Sequence, residues 1–554
     1  MVLQQRSRIM KKAIRKIISF VLIFTLTASS AALLSSVKTG AYPGRVPVIF
    51  ISGEGTDIGI KQDDGKYRIL KYQVDTDKIK KAFLDDPSVI VKASFTQDWT
   101  EFSDILADVL IDTFGEFALD ENGEPTNGSE STFKYNKRTL KNNFTNPNAG
   151  LYSYGYSYDW RLSPYENMEG LRQYIDDVLE ATGCSEYVLY SRCEGGCLSL
   201  LYYDMYKDNR ISDLILSHTA LLGLSPIGEA FSGNIKIDPE AVERLLYETD
   251  LGINYELTDN ITLTDDLIRQ VLKVLIDIYG ADMFCFVTTN AYQHIYDYVN
   301  EKILKYTFGS FPGYWAMVEE QYYEQAKKSV FAGEEEKYAG MIEKIDRYYN
   351  NITVRTDEIL DEMEANGIRI CNIIKYGKQI CPGVPESDVL SDQLVKVPLA
   401  SFGATTSPIT SKFSDKYIKE QEALGNGKYI SPDKQINSAT CKYRDTTWYV
   451  KNVGHKFNPK CIEPLVFAIA NDHESTVFTY EDYPQYMFYS EPEEEGGEGT
   501  LAPLDPEIHR TRIDDYNDNV GNTFIRKFKE IFRPLFVVIC WIVKVFGVQP
   551  RAGK

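Results

Sequence analysis

The sequence predicts an α/β protein: a mostly parallel β-sheet with helices on both faces, interrupted by a large helical cap insertion. Three observations lead there. Short apolar, β-branched runs alternate with stretches of helical spacing up to about Ser225. The alternation stops between about Pro226 and Ala365, where the pattern is helical and acidic with aromatic clusters such as Tyr322, Tyr323, Tyr348 and Tyr349. It resumes with Ile368-Arg-Ile-Cys-Asn-Ile-Ile374 and again with Thr447-Trp-Tyr-Val450.

The elements follow in order. Arg6, Arg8, Lys11, Lys12, Arg15 and Lys16 precede an apolar stretch from Ile17 to Leu26 and small residues from Thr27 to Ala32. That succession is the secretory pattern, with cleavage expected near Ala31 and an uncleaved anchor as the alternative. No Cys follows closely, which argues against a lipoprotein anchor. Val46-Pro-Val-Ile-Phe-Ile51 reads as a buried strand feeding the glycine turn Ser52-Gly-Glu-Gly55. Val89 to Phe95 reads as a further strand, followed by a helical stretch through Phe102, Ile105, Leu106 and Val109. Leu171, Tyr174, Ile175 and Val178 mark a helix. Tyr187-Val-Leu-Tyr190 is a strand, Ser191 to Glu194 a turn, and a helix starts at Gly195. Asp213 to Ser217 is the next strand, and a last core helix spans Ile462 to Ala470.

The expected organisation is therefore a signal peptide at 1–31, a first core segment at 32–225, the helical cap at 226–365 and a second core segment at 366–475. An acidic linker at 476–520 and an amphipathic C-terminal helix at 521–554 complete it. In that last helix Phe524, Phe528, Ile531, Phe532, Leu535 and Ile539 share one stripe, opposite Arg526, Lys527, Lys529 and Arg533. Its uninterrupted apolar part, Pro534 to Val543, is shorter than the roughly 20 residues of a membrane span. Association with a membrane surface is one reading; docking on the protein's own core, or self-association, is the other.

Composition narrows function by exclusion. A net charge of −20 is opposite to that of a nucleic-acid binder and fits an exported protein of the cell envelope or exterior. The nine cysteines leave at least one thiol unpaired in a monomer, and none shows the paired C-x-x-C spacing of structural zinc. Asp515-Tyr-Asn-Asp-Asn519 imitates the start of a calcium loop, but Val520 replaces the required Gly and Arg526 the closing Glu. No phosphate-binding loop or dinucleotide fingerprint is present, so no cofactor or metal is expected.

The chemistry concentrates in Val188-Leu-Tyr-Ser-Arg-Cys-Glu-Gly-Gly-Cys197. A strand, a turn with small residues two before and two after a central position, and a helix make the shape of the nucleophile elbow G-x-S-x-G. Ser191 stands for the first Gly and Cys193 for the Ser. Small neighbours are needed because the central residue occupies a strained turn at a helix N-terminus, where dipole and exposed N–H groups favour a thiolate. A buried Cys in an ordinary β–α turn is the competing interpretation.

Further motifs tip that balance. Tyr158-Asp-Trp-Arg161, the elbow, Ser217-His-Thr-Ala-Leu-Leu-Gly-Leu-Ser225, Tyr376-Gly377 and Ser391-Asp-Gln-Leu-Val395 occur in this order. Together they resemble the lecithin:cholesterol acyltransferase-like, lipase branch of the α/β-hydrolase superfamily, over residues 46–232 and 366–470. The chain departs from that family in having Cys for the elbow Ser, and Asp392-Gln393 where the family has Asp-Gly. A Cys elbow with a double Gly is also similar to dienelactone hydrolases and polyhydroxyalkanoate synthases, but the tetrad and the export signal favour the first family.

The resemblance implies an α/β-hydrolase fold and a triad in the order nucleophile, acid, base. It places the acid at Asp392, with Asp388 as runner-up. Of five histidines (218, 294, 455, 473 and 509), His455 alone follows the last strand, as the base should; His473 lies beyond a surface helix, and His218 is a candidate for lining the pocket. Oxyanion donors are expected from the backbone of Glu194 and from the turn at Gly53 and Glu54. The function expected is hydrolysis of ester-linked acyl groups, in small-molecule or lipid esters, through an acyl-thioester on Cys193. Acyl transfer by the same site and a non-catalytic lipid- or envelope-binding protein are the alternatives.

Overall fold

A computed structural model describes residues 46–53, 57–71, 98–146, 149–234, 304–380, 384–492 and 497–520, with a few isolated positions between them. The expected signal (1–31) and C-terminal helix (521–554) lie outside the described residues.

The core is an eight-stranded sheet. Its strands are β1 (Val48–Ile51), β2 (Gly155–Tyr156), β3 (Tyr187–Arg192), β4 (Ile211–Ser217), β5 (Arg369–Tyr376), β6 (Thr447–Lys451), β7 (Tyr486–Ser490) and β8 (Thr500–Pro503). They lie in the order β8-β7-β6-β5-β4-β3-β1-β2, all parallel except β8, which runs antiparallel to β7. Tyr187 to Ser191 and Ile370 to Tyr376 are buried residue after residue. Continuous burial requires cover on both faces.

Two helices supply that cover. Ser191 Oγ lies 2.5 Å from Ser199 Oγ on α2 (Gly195–Tyr206), which follows α1 (Met168–Thr182). The neighbouring Tyr190 points the opposite way, as adjacent strand residues must. It shares a small cavity with Ile462 and Glu463 at the start of α7 (Glu463–Asn471).

Between β4 and β5 the chain carries α3 (Ser225–Ser232), α4 (Tyr323–Val330), α5 (Ala339–Asn351) and α6 (Thr356–Ala365), with a hairpin of strands Tyr255–Thr258 and Ile261–Leu263. α6 packs on α2 and on β5, so its apolar face (Ile359, Leu360, Met363) completes the cover of the sheet.

Two sequence readings need correction. The segment 476–520 is not a linker: it contains β7, β8 and a helix at Arg512–Val520. Its acidic run, 491–498, lies between β7 and the antiparallel edge strand β8, and Tyr486-Met-Phe-Tyr489 is buried because β6 pairs with it. Of the strand expected at Val89 to Phe95, the described positions Val89 and Lys92 are helical, and the rest lies outside the described residues.

The tetrad Tyr158-Asp-Trp-Arg161 is an internal brace. The fully buried Arg161 donates from Nε and Nη2 to the two Asp159 carboxylate oxygens, at 2.9 and 2.7 Å. Its remaining donors reach Phe117 O at 3.0 Å and Ser129 Oγ at 2.9 Å. A bidentate pair with every donor used offsets the cost of burying the charge.

Candidate active site

In a parallel sheet every strand ends at the same edge, so loops distant in sequence meet there. The turns after β1 (Gly53), β3 (Cys193), β5 (Asp392) and β6 (His455) all open on that edge.

Cys193 has φ +50°, in the left-handed region, where a residue with a Cβ costs roughly 1–2 kcal/mol. The small residues around it make that turn sterically feasible. A Cβ on Gly53 would sit 2.7 Å from Cys193 Cβ and 3.3 Å from its sulfur. One on Gly195 would meet Ile51 O at 2.4 Å, and one on Gly196 would meet Thr219 Cβ at 2.8 Å. The turn is held by the Cys193 carbonyl, which accepts from the amides of Gly196 and Ala220, each at 3.2 Å.

His455 and Asp392 come together although 63 residues separate them. His455 Nδ1 is 2.8 Å from Asp392 Oδ2, and the His455 amide donates to the Asp392 carbonyl at 2.7 Å. The other carboxylate oxygen of Asp392 accepts from the amides of Leu394 at 3.1 Å and Val395 at 2.8 Å. Both side chains are buried. Nδ1 thus carries the proton toward Asp392, leaving Nε2 as the working nitrogen. Nε2 has no hydrogen-bond partner among the described residues, and the group bearing on it electrostatically, after Asp392, is Cys193. Burial disfavours the imidazolium, but Asp392 and then Cys193 outweigh it and raise His455 to about 10.

Asp392 is followed by Gln393 at φ +92°, a conformation suited to Gly. Asp388 is exposed and only its backbone is engaged, accepting from Ile409 N. His473 pairs with Asp213 through Nδ1 at 3.2 Å, away from the sulfur's partners. His218 stands edge-on to His455, with ring centroids 4.8 Å apart.

No family model and no curated protein matches the chain. Among solved structures, a chain from "The crystal structure of Tle4-Tli4 complex" aligns over 60% of this chain and 74% of its own, at 13% identity and a TM-score of 0.22. That likeness is too slight to carry an argument, so the reading of the site rests on its geometry.

Of the expected oxyanion donors, Glu194 is the residue immediately before α2, with its amide at the helix N-terminus. Gly53 lies against Cys193, and Glu54 is outside the described residues. The Glu194 side chain, fully buried, faces the insertion: a Cβ on Gly313 would lie 2.7 Å from its Oε1. Tyr158 of the tetrad contacts the same carboxylate; burial first, and then Glu194, push the phenol pKa well up.

Lys375 and His218 are the parts that sequence reasoning did not single out as a unit. A lysine inside the apolar run of β5 was the available signal. Among the described residues no cluster of side chains could hold a metal, and no helix is long and apolar enough to cross a membrane. Among the described residues Cys193, Cys197, Cys371, Cys441 and Cys461 are free thiols.

Proposed function

We propose that this protein hydrolyses ester-linked acyl groups through Cys193, His455 and Asp392. The observation that carries the reading is the buried His455, with Nδ1 committed to Asp392 and Nε2 left for the sulfur. In the first half-reaction the sulfur attacks the ester carbonyl carbon, its proton passing to or already resting on Nε2. The tetrahedral oxyanion collapses, the carbon–oxygen bond breaks, and imidazolium returns the proton to the leaving alcohol. In the second, water attacks the thioester, gives its proton to His455, and the carbon–sulfur bond breaks to release the acid. The Glu194 amide and the Gly53 turn would stabilise both oxyanions, each donor by about 3–4 kcal/mol. Lipid esters fit the apolar stripe at 524–546, and the basic, apolar and small-residue order of the N-terminus supports export.

The test is a panel of acyl esters with the wild type, Cys193→Ala and His455→Ala, and mass analysis of the Cys193 peptide after a rapid acid quench. Turnover with an acyl mass on that peptide, lost in both variants, is expected. Undiminished turnover in Cys193→Ala would remove the reading.

A further inference from the structure

Beneath the base-bearing loop a lysine Nζ is buried with, among the described residues, no carboxylate at hydrogen-bond distance. Lys375, on β5 and 1% exposed, has four neighbours at hydrogen-bond distance. Nζ lies 2.8 Å from Phe457 O, 2.8 Å from Asn458 Oδ1, 3.2 Å from His455 O and 3.2 Å from His218 Nε2. None of the four is an anion. Burying an unpaired ammonium costs several kcal/mol, whereas an apolar side chain would suit the interior of a parallel sheet. Stability therefore does not explain a lysine at this position.

Its contacts do. Three of the four belong to residues 455–458, the loop that carries His455. The fourth holds His218, whose Nδ1 is 2.9 Å from Ser217 Oγ and whose ring stands edge-on to His455. Lys375 Nζ thus ties the His455 loop and the His218 ring, which stands against His455, to one group. Burial and then the charge of Arg192 push the Lys375 ammonium well down from its usual range, while Asp392 and Cys193 pull the other way. Both of those groups belong to the candidate site itself.

We infer that Lys375 is a positioning residue: its Nζ, donating to oxygens of His455, Phe457 and Asn458, clamps the loop 455–458 so that the His455 ring is held against Asp392 and toward the Cys193 elbow. The inference rests on the triad proposed above.

The experiment compares wild type, Lys375→Met, Asn458→Ala and His455→Ala. Iodoacetamide modification of Cys193 is followed by peptide mass between about pH 5 and 9, hydrogen exchange is followed over 455–458, and ester kcat and KM are measured separately. Lys375→Met is expected to slow alkylation at pH 7 by about tenfold or more, to raise exchange in the loop, and to lower kcat with KM little changed. Asn458→Ala should move each readout in the same direction by a smaller factor. Wild-type alkylation and loop exchange in a folded Lys375→Met protein would overturn the inference. If that variant does not fold, unchanged alkylation and loop exchange in Asn458→Ala overturn it instead. His455→Ala separates the two claims: if it leaves alkylation unaltered, the triad itself fails; if it slows alkylation while Lys375→Met does not, only the clamp fails.

Discussion

Gly53 and Cys193 approach so closely that a single added methyl at residue 53 would lie 2.7 Å from the Cβ of the proposed nucleophile. Neither group can yield cheaply, because Cys193 is already at φ +50°. Gly53→Ala should therefore displace the elbow or the turn, lowering ester turnover and Cys193 alkylation by about tenfold or more while the protein remains folded. Circular dichroism and alkylation kinetics on the same sample would check it.

The charge on His455 sets a pH dependence whose sign follows from its environment. Its protonated form is favoured in the folded protein, to about 10, above the ordinary value of 6.5. The stability this provides is complete below about pH 6.5 and is lost as pH rises through about 10. Asp392→Asn removes the largest favourable contribution, so it should cost about 2–4 kcal/mol at pH 7 and progressively less as pH approaches 10. Urea unfolding of the two proteins across that range measures the difference.

Arg161→Met should be among the most damaging substitutions outside the site. It leaves the buried Asp159 carboxylate without its bidentate partner and frees Ser129 and Phe117 from their donor. A loss of about 3–5 kcal/mol is expected from breaking a buried pair on one side. Denaturant midpoints would read it directly.

Gln393→Gly should act in the opposite direction. Residue 393 is exposed and at φ +92°, so the substitution sacrifices little contact and relieves a conformation that disfavours side chains. A gain of about 1 kcal/mol is expected, less the entropy glycine adds to the unfolded chain. Unfolding curves at pH 7 with unchanged turnover would check it.

Glu229 on α3 shares Lys396 with Glu319 and Glu386, at 3.6, 3.3 and 2.5 Å. Burial raises Glu229 to about 7, against the opposing pull of Lys396. The folded state then holds a proton that the unfolded state has released, so this contribution to stability is full below about pH 4.5 and lost as pH rises through about 7. Glu229→Gln should stabilise the protein at pH 8 relative to pH 5 by roughly 1 kcal/mol. Thermal unfolding at the two pH values provides the check.

Much of the site is written in local sequence, because local rules govern it. The elbow spacing demands a strand, a strained turn and a helix, and α2 begins at Gly195 as that spacing requires. The succession Cys193, Asp392, His455 follows the order of strand ends, which chain direction alone dictates in a parallel sheet. Composition misled where it was read without partners: the aromatic run Tyr486 to Tyr489 sits beside an acidic stretch and reads as part of a linker, yet β6 recruits it as a strand. The family resemblance set Asp392 ahead of Asp388, but what separates them physically is tertiary: four residues apart in one loop, one carboxylate is buried against His455 and the other is exposed. The same holds for Lys375: a charged residue in an apolar strand is visible in sequence, but its acceptors lie about 80 residues further on. Sequence by itself determined which chemical groups stand at strand ends, because backbone sterics and periodicity act over a few residues. Tertiary structure decided which of them meet, because hydrogen bonding in the buried interior depends on how the strands are laid side by side.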